Sequence, residues 1–316
     1  MRITTTARLV TALAGTSLAL TACGSDPVEL DEPGAEGSTA TSAGSVLDRL
    51  DEAEVDRIRE MVPQEYADAG EITAVNSGSF PPYMIVQEDG TVEGASAELA
   101  DAVGEVWGIE VNHVTADGLS SILTGMSSGR FDFAFGPVGD FKERQAENDF
   151  VDYVQEFVVF AVEQGNPEGI EGLDTTCGLK IAVQAGGSAE RVIKEQSQSC
   201  EDGGEAPVEV MSFKDQPQSI LSVRSGRADA FFSSQAPLTY FVEQSEGELE
   251  LAGTGQQNGF DTLYQGAVVA KDSDLGPLLQ ETLAALFEAG VYDDVMTEWN
   301  LSDNMIDEPG MNLGVS

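Results

Sequence analysis

The sequence predicts an α/β protein built as two lobes of similar topology. From Glu71 onward, short apolar segments alternate with stretches whose apolar residues recur at helical spacing. The segment SILTGMSSGRFDFAF (121–135) is echoed by SILSVRSGRADAFF (219–232), and each follows a strand pattern and a short polar turn. A chain of 316 residues that is 41% hydrophobic can also build two cores. The echo occurs only twice, which excludes a solenoid.

In order, the elements begin outside the fold. Arg2 and Arg8 give a positive start, residues 9–20 are apolar, and this run is too short to span a bilayer comfortably. Residues 1–22 therefore read as an export signal. Leu20-Thr21-Ala22-Cys23 resembles the bacterial lipobox, in which cleavage precedes the cysteine and its sulfur is acylated. Cys23 is the expected lipid-attachment residue, anchoring the exported chain to the outer face of the cell membrane. Residues 23–45, rich in Gly, Ser, Thr, Ala and acid, form a flexible tether. Residues 46–65 carry an amphipathic helix, with apolar positions at 46, 47, 50, 55, 58, 61 and 62 before Pro63.

Then come EITAVN as strand, ASAELADAVGEVWG as helix, IEVNHV as strand, LSSILTGMSSG as helix and FDFAFG as strand. The glycines of GPVG (136–139) suggest a turn after that strand. The second series is LKIAVQ (strand), SAERVIKEQSQS (helix), VEVMSF (strand), QSILSVRSG (helix) and ADAFFS (strand). Residues 275–299 read as helical with a break near Gly290.

Fifteen Lys and Arg against 56 Asp and Glu give a formal charge of −41, which excludes a nucleic-acid partner by repulsion. Of three cysteines, Cys23 is taken by lipidation. Cys177 and Cys200 then either pair in an oxidising compartment or stay as buried thiols, and pairing is the expectation. His113, the only histidine, lies in a strand pattern, which argues against histidine triads and clustered metal sites. No metal and no cofactor are expected.

Several stretches, in order, resemble the amino-acid-type (family 3) solute-binding proteins of ABC importers: SFPPYMIVQEDGTVEGASAELADAV, LSSILTGMSSGRFDFAFGPVGDFKERQAENDFVDYV, CGLKIAVQAGGSAE, LSVRSGRADAFFSS and VYDDVMTEW. The resemblance runs from about residue 66 to 302. It implies a two-lobed periplasmic-binding-protein-like fold (type II), with α/β lobes joined by two crossing strands. Lobe one would be 66–159 plus 266–305, lobe two 160–265, and 306–316 a C-terminal tail.

The resemblance also implies site residues. Arg144 would grip a ligand α-carboxylate, for which its planar fork of donors is suited. Pro137 and Gly139 would bring backbone close to the ligand, and Gly187 and Ser188 would offer the start of a helix to the same anion. Phe80 and Leu119 would wall the side chain. Many relatives carry Ser or Thr where this chain has Gly136, Pro137, Gly139 and Phe141. The acid that pairs with a ligand ammonium falls here on Ser234. Either another acid reaches the pocket, with Asp261 the candidate, or the ligand lacks a primary α-ammonium. A conventional amino acid is the expectation, because the surrounding −41 favours cations.

The function implied is a membrane-tethered, monomeric receptor that captures a small carboxylated solute, a polar amino acid, and delivers it to ABC permease subunits. The alternative is a dehydratase on the same fold acting on a cyclic carboxylate. That chemistry needs a positioned acid or base, and no such residue stands out.

Overall fold

A computed structural model describes residues 45–315. The expected signal, Cys23 and the tether up to Gly44 lie outside the described residues.

The expected helix over 46–62 is divided. A 3-10 turn spans Val46–Arg49, and α1 (Glu52–Met61) starts afresh because the Asp51 carboxylate accepts from the amides of Ala53 and Glu54. After α2 (Gln64–Ala69), lobe one is laid down as β1 (Glu71–Asn76), the hairpin strands β2 (Ser79–Phe80), β3 (Met84–Val86) and β4 (Val92–Glu93), and α3 (Ala95–Trp107). It continues with β5 (Glu110–Thr115), α4 (Leu119–Ser127), β6 (Phe133–Gly139), α5 (Lys142–Gln145) and β7 (Asn148–Glu156). Lobe two follows as β8 (Val158–Glu163), β9 (Lys180–Gln184), α6 (Ser188–Asp202), β10 (Glu209–Phe213), α7 (Gln216–Arg224), β11 (Ala230–Ser234), α8 (Gln235–Glu243) and β12 (Leu249–Ala252). The chain returns to lobe one through β13 (Leu263–Ala270), α9 (Leu275–Glu288), α10 (Val291–Glu298) and β14 (Met305–Met311).

Lobe one is a six-stranded sheet ordered β14-β7-β13-β6-β1-β5, and lobe two a five-stranded sheet ordered β10-β9-β11-β8-β12. In each, the strands joined through helices pair in parallel, and those adjoining the crossovers pair antiparallel. Only Phe157 separates β7 from β8, and β13 begins at Leu263, so the sheets part slightly earlier than at the expected boundaries of 159 and 265.

Both faces of each sheet are covered, which is why the central strands read as unbroken apolar runs. In lobe one, α3, α9 and α10 bury Leu99, Val103, Leu279, Leu283 and Tyr292 against one face, while Ile122 and Met126 of α4 cover the other. Ile58 of α1 and Val62 just after it join the first cluster, so the N-terminal helices belong to lobe one. In lobe two, α6 covers one face and α7 and α8 the other. The Cys177–Cys200 disulfide ties the segment before β9 to α6 with Cα atoms 5.7 Å apart. By the chain-entropy model a loop of this size contributes about 3 kcal/mol.

Two expectations are corrected. Residues 136–139 form no turn: β6 runs on through Gly139, with Val138 opposite Gly266 and Gly139 opposite Gln265 on β13. The register shift in this pairing passes Pro137, which has no N–H to give the ladder. Nor are residues 306–316 a tail beyond the lobe, because β14 pairs with β7. Beyond it, Leu313 N–H donates to Asp152 Oδ2 (3.0 Å), and Gly314 N–H donates to Asp140 Oδ2 (2.6 Å). Neither Asp140 nor Asp152 has more than 1% of its surface exposed, and the final residues cover this pair of acids.

Candidate functional site

A cavity of about 70 Å³ lies between the lobes. Lobe one lines it from the C-terminal ends of β1 and β6 and the start of α4; lobe two lines it from the loop before α6 and the ends of β9 and β11. Open α/β sheets place ligands at these carboxyl ends because helix N-termini and free loop amides gather there.

Arg144, on the short α5, donates from Nη1 to Gly139 O (2.7 Å) and from Nη2 across the cleft to Gly186 O (2.8 Å). These two bonds use two of the five guanidinium N–H groups, leaving three. Burial pulls its pKa down to about 10, opposed by Asp140 and reinforced by Arg191, so it is a cation at neutral pH. A Cβ at position 139 would meet the Phe141 ring at 2.6 Å and Arg144 Nη1 at 3.4 Å, so glycine here makes room for both side chains. Across the cavity, α6 starts at Ser188 with Gly187 as its N-cap. Its first-turn amides have no intrahelical acceptors and carry the positive end of the helix dipole. Arg144 and α6 therefore place a guanidinium fork and a helix N-terminus, one from each lobe, around a single anion-sized space.

The remaining polar lining is neutral. Gln216 Nε2 donates to Gln184 Oε1 (3.1 Å) and to Ser233 Oγ (2.9 Å), which ties three elements of lobe two together. Gln265 Nε2, on the crossing strand β13, donates to Ser234 Oγ (3.2 Å). Phe80, Met84, Leu119 and Ile122 supply the apolar wall. Arg144 is the one charged side chain that lines the cavity among the described residues.

The lobes also meet around the cavity. Lys214 pairs with Asp117 across the cleft. A Cβ on Gly186 would fall 2.5 Å from Ser120 Oγ, and its φ of +74° is itself a glycine conformation. Phe141, from lobe one, is 4% exposed and packs into the lobe-two core beside Phe260 (ring centroids 6.3 Å apart). The Arg144 and Arg191 guanidinium groups lie 5.2 and 5.6 Å from its ring centre.

All eight ligand-site residues named from the sequence line this one cavity: Phe80, Leu119, Pro137, Gly139, Arg144, Gly187, Ser188 and Ser234. Asp261 does not. It sits exposed behind the hinge, where its Oδ1 accepts from Gln257 Nε2 (3.1 Å). His113 pairs with Asp101 (2.9 Å) and is absent from the lining. The sequence reading missed Asn76, Gln184, Gln216 and Gln265, for neutral amides on separate strands leave no local pattern. Glu156 is buried at the end of β7, two residues before Val158, which pairs with Ser234 on β11. Its Oε1 accepts from Tyr83 Oη (2.7 Å), while its Oε2 has no partner among the described residues. Burial first, opposed by the hydrogen bond from Tyr83, pushes its pKa up to about 7.

The sequence profile of the bacterial extracellular solute-binding proteins, family 3, matches residues 72–302. The arginine-binding protein ArgT of Corynebacterium glutamicum is 28% identical over 82% of this chain and 83% of its own length. The L-cystine-binding protein TcyJ of Escherichia coli is 23% identical over 70% and 79%. Among solved structures, the substrate-binding protein AbpA of an amino acid ABC transporter from Streptococcus pneumoniae, bound to L-arginine, superposes with a TM-score of 0.67. It is 21% identical and covers 76% of this chain and 99% of its own. Two lobes, a cleft between them and a profile match spanning most of the sequence agree: the chain belongs to the bacterial extracellular solute-binding proteins, family 3.

Proposed function

We propose that this protein captures a small amino acid between its lobes and delivers it to the permease of an ABC importer. The observation that carries the reading is the pairing of Arg144 from lobe one with the N-terminus of α6 from lobe two around one space. A carboxylate held there touches both lobes at once, so binding favours the closed form. The names of the relatives, which bind arginine and cystine, support an α-amino acid as the solute. Cys23 is the proposed lipid attachment, holding a monomeric receptor at the membrane through the tether; its support is the LTAC sequence.

The test is a thermal-shift panel of amino acids followed by calorimetry on Arg144→Ala. Losing a buried, charge-assisted contact costs about 2–5 kcal/mol, or roughly 30- to several-thousand-fold in affinity. Arg144→Lys should recover only part of it, since lysine lacks the fork. Wild-type affinity in the alanine variant overturns the assignment.

A further inference from the structure

Two buried amides on the cavity wall are left with unused hydrogen-bonding atoms. Asn76, at the end of β1, is 2% exposed, and among the described residues neither its Nδ2 nor its Oδ1 has a partner. Gln265 is 4% exposed; its Nε2 is held by Ser234, while its Oε1 has none. Buried polar atoms in folded proteins are almost always satisfied, so three such atoms on one cavity wall point to a ligand. Their chemistry is specific. Asn76 offers one donor and one acceptor in a plane, and Gln265 offers an acceptor.

We propose that Asn76 and Gln265 are specificity-determining residues that select an amino acid with an uncharged carboxamide end and reject a guanidinium. The proposal rests on the amino-acid reading of the site. A primary carboxamide matches Asn76 reciprocally, donating to Oδ1 and accepting from Nδ2. Gln265 Oε1 accepts from the ligand's amino group, and Ser234 Oγ, already engaged by Gln265, stands beside it.

A guanidinium end lacks an acceptor for Asn76 Nδ2 and would bury its charge with no carboxylate on the lining. The buried acid at the end of β7, Glu156, accepts from Tyr83 Oη and is absent from the lining. A carboxylate end fails in the opposite way, leaving Asn76 Oδ1 facing an anion. The net charge of −41 does pull cations toward the cleft, but through solvent that screens it within about 8 Å. Inside the cavity, contact decides.

The experiment is titration calorimetry of the protein with L-glutamine, L-asparagine, L-arginine and L-glutamate. One of the two carboxamide amino acids should bind roughly ten- to hundredfold more tightly than either charged one. In Asn76→Asp, the preference between glutamine and arginine should shift toward arginine by at least about tenfold. Gln265→Glu should shift it the same way, a second reading should the first variant not fold. If arginine binds the wild type as tightly as the carboxamides, the inference is wrong and the amino-acid reading stands. If another amino acid binds in the thermal-shift panel and none of these four does, the inference falls and the amino-acid reading stands; if no amino acid binds, both fall.

Discussion

Phe141 gives a direct handle on closure. Its ring belongs to lobe one by chain position yet packs in the core of lobe two, against Phe260 and beneath Arg191. An aromatic side chain buries about 150–250 Å², which at about 25 cal/mol per Å² corresponds to roughly 4–6 kcal/mol. Measured Phe→Ala truncations in cores cost about 3–5 kcal/mol. Gly139 and Arg144 of its own lobe also touch the ring, so about half of this, roughly 1.5–2.5 kcal/mol, falls on the closed form relative to the open one. If the ligand binds the closed form, Phe141→Ala should weaken binding by roughly ten- to sixtyfold. Small-angle scattering of the unliganded variant should show a larger radius of gyration, while Phe141→Leu should keep most of both properties. Unchanged affinity together with unchanged scattering would refute the assignment of Phe141 to closure.

Two further outcomes concern the ends of the chain. Burial first and the neighbouring Asp140 second push the Asp152 pKa up to about 8, so the folded state holds a proton that the unfolded chain releases near pH 4. The stability this proton contributes is complete below about pH 4 and is lost as pH rises toward 8. Asp152→Asn, neutral throughout, should flatten the fall in melting temperature between pH 5 and pH 8; the remaining slope belongs to Glu156, and an unaltered slope argues against the account. Cys23→Ala should release the protein from the membrane fraction or block its processing, and unchanged fractionation counts against lipid attachment.

Much of this architecture was readable in advance, and the parts that were not share a cause. α3, α6 and the α9–α10 pair announce themselves through apolar residues at helical spacing, and β1, β9 and β11 through apolar runs between turn residues. Arg144 and Ser188 were found through the family resemblance; by its own sequence context Arg144 reads as a surface arginine among many acids, and Ser188 as an ordinary helix start. β14 was invisible: Met305–Met311 contains Pro309, Gly310 and two acids, and it is a strand only because β7 offers an edge. β6 continues through a glycine-rich stretch because β13, far away in sequence, pairs with it. Asn76 and Gln265 carried no signal, since an isolated amide acquires meaning only when the fold brings β1 and β13 to one wall.

The arrangement of β14 also imposes an order of assembly. Lobe two is made from one unbroken stretch of chain, so its contacts are available as soon as β12 exists. Lobe one is not: its edge strand and the residues that cover Asp140 and Asp152 follow all of lobe two in the chain. Until they arrive, β7 presents an unpaired edge, the kind of surface that recruits other strands. A growing or truncated chain therefore passes through a state with one finished half and one adhesive half. Protection of that edge rests on residues 305–314.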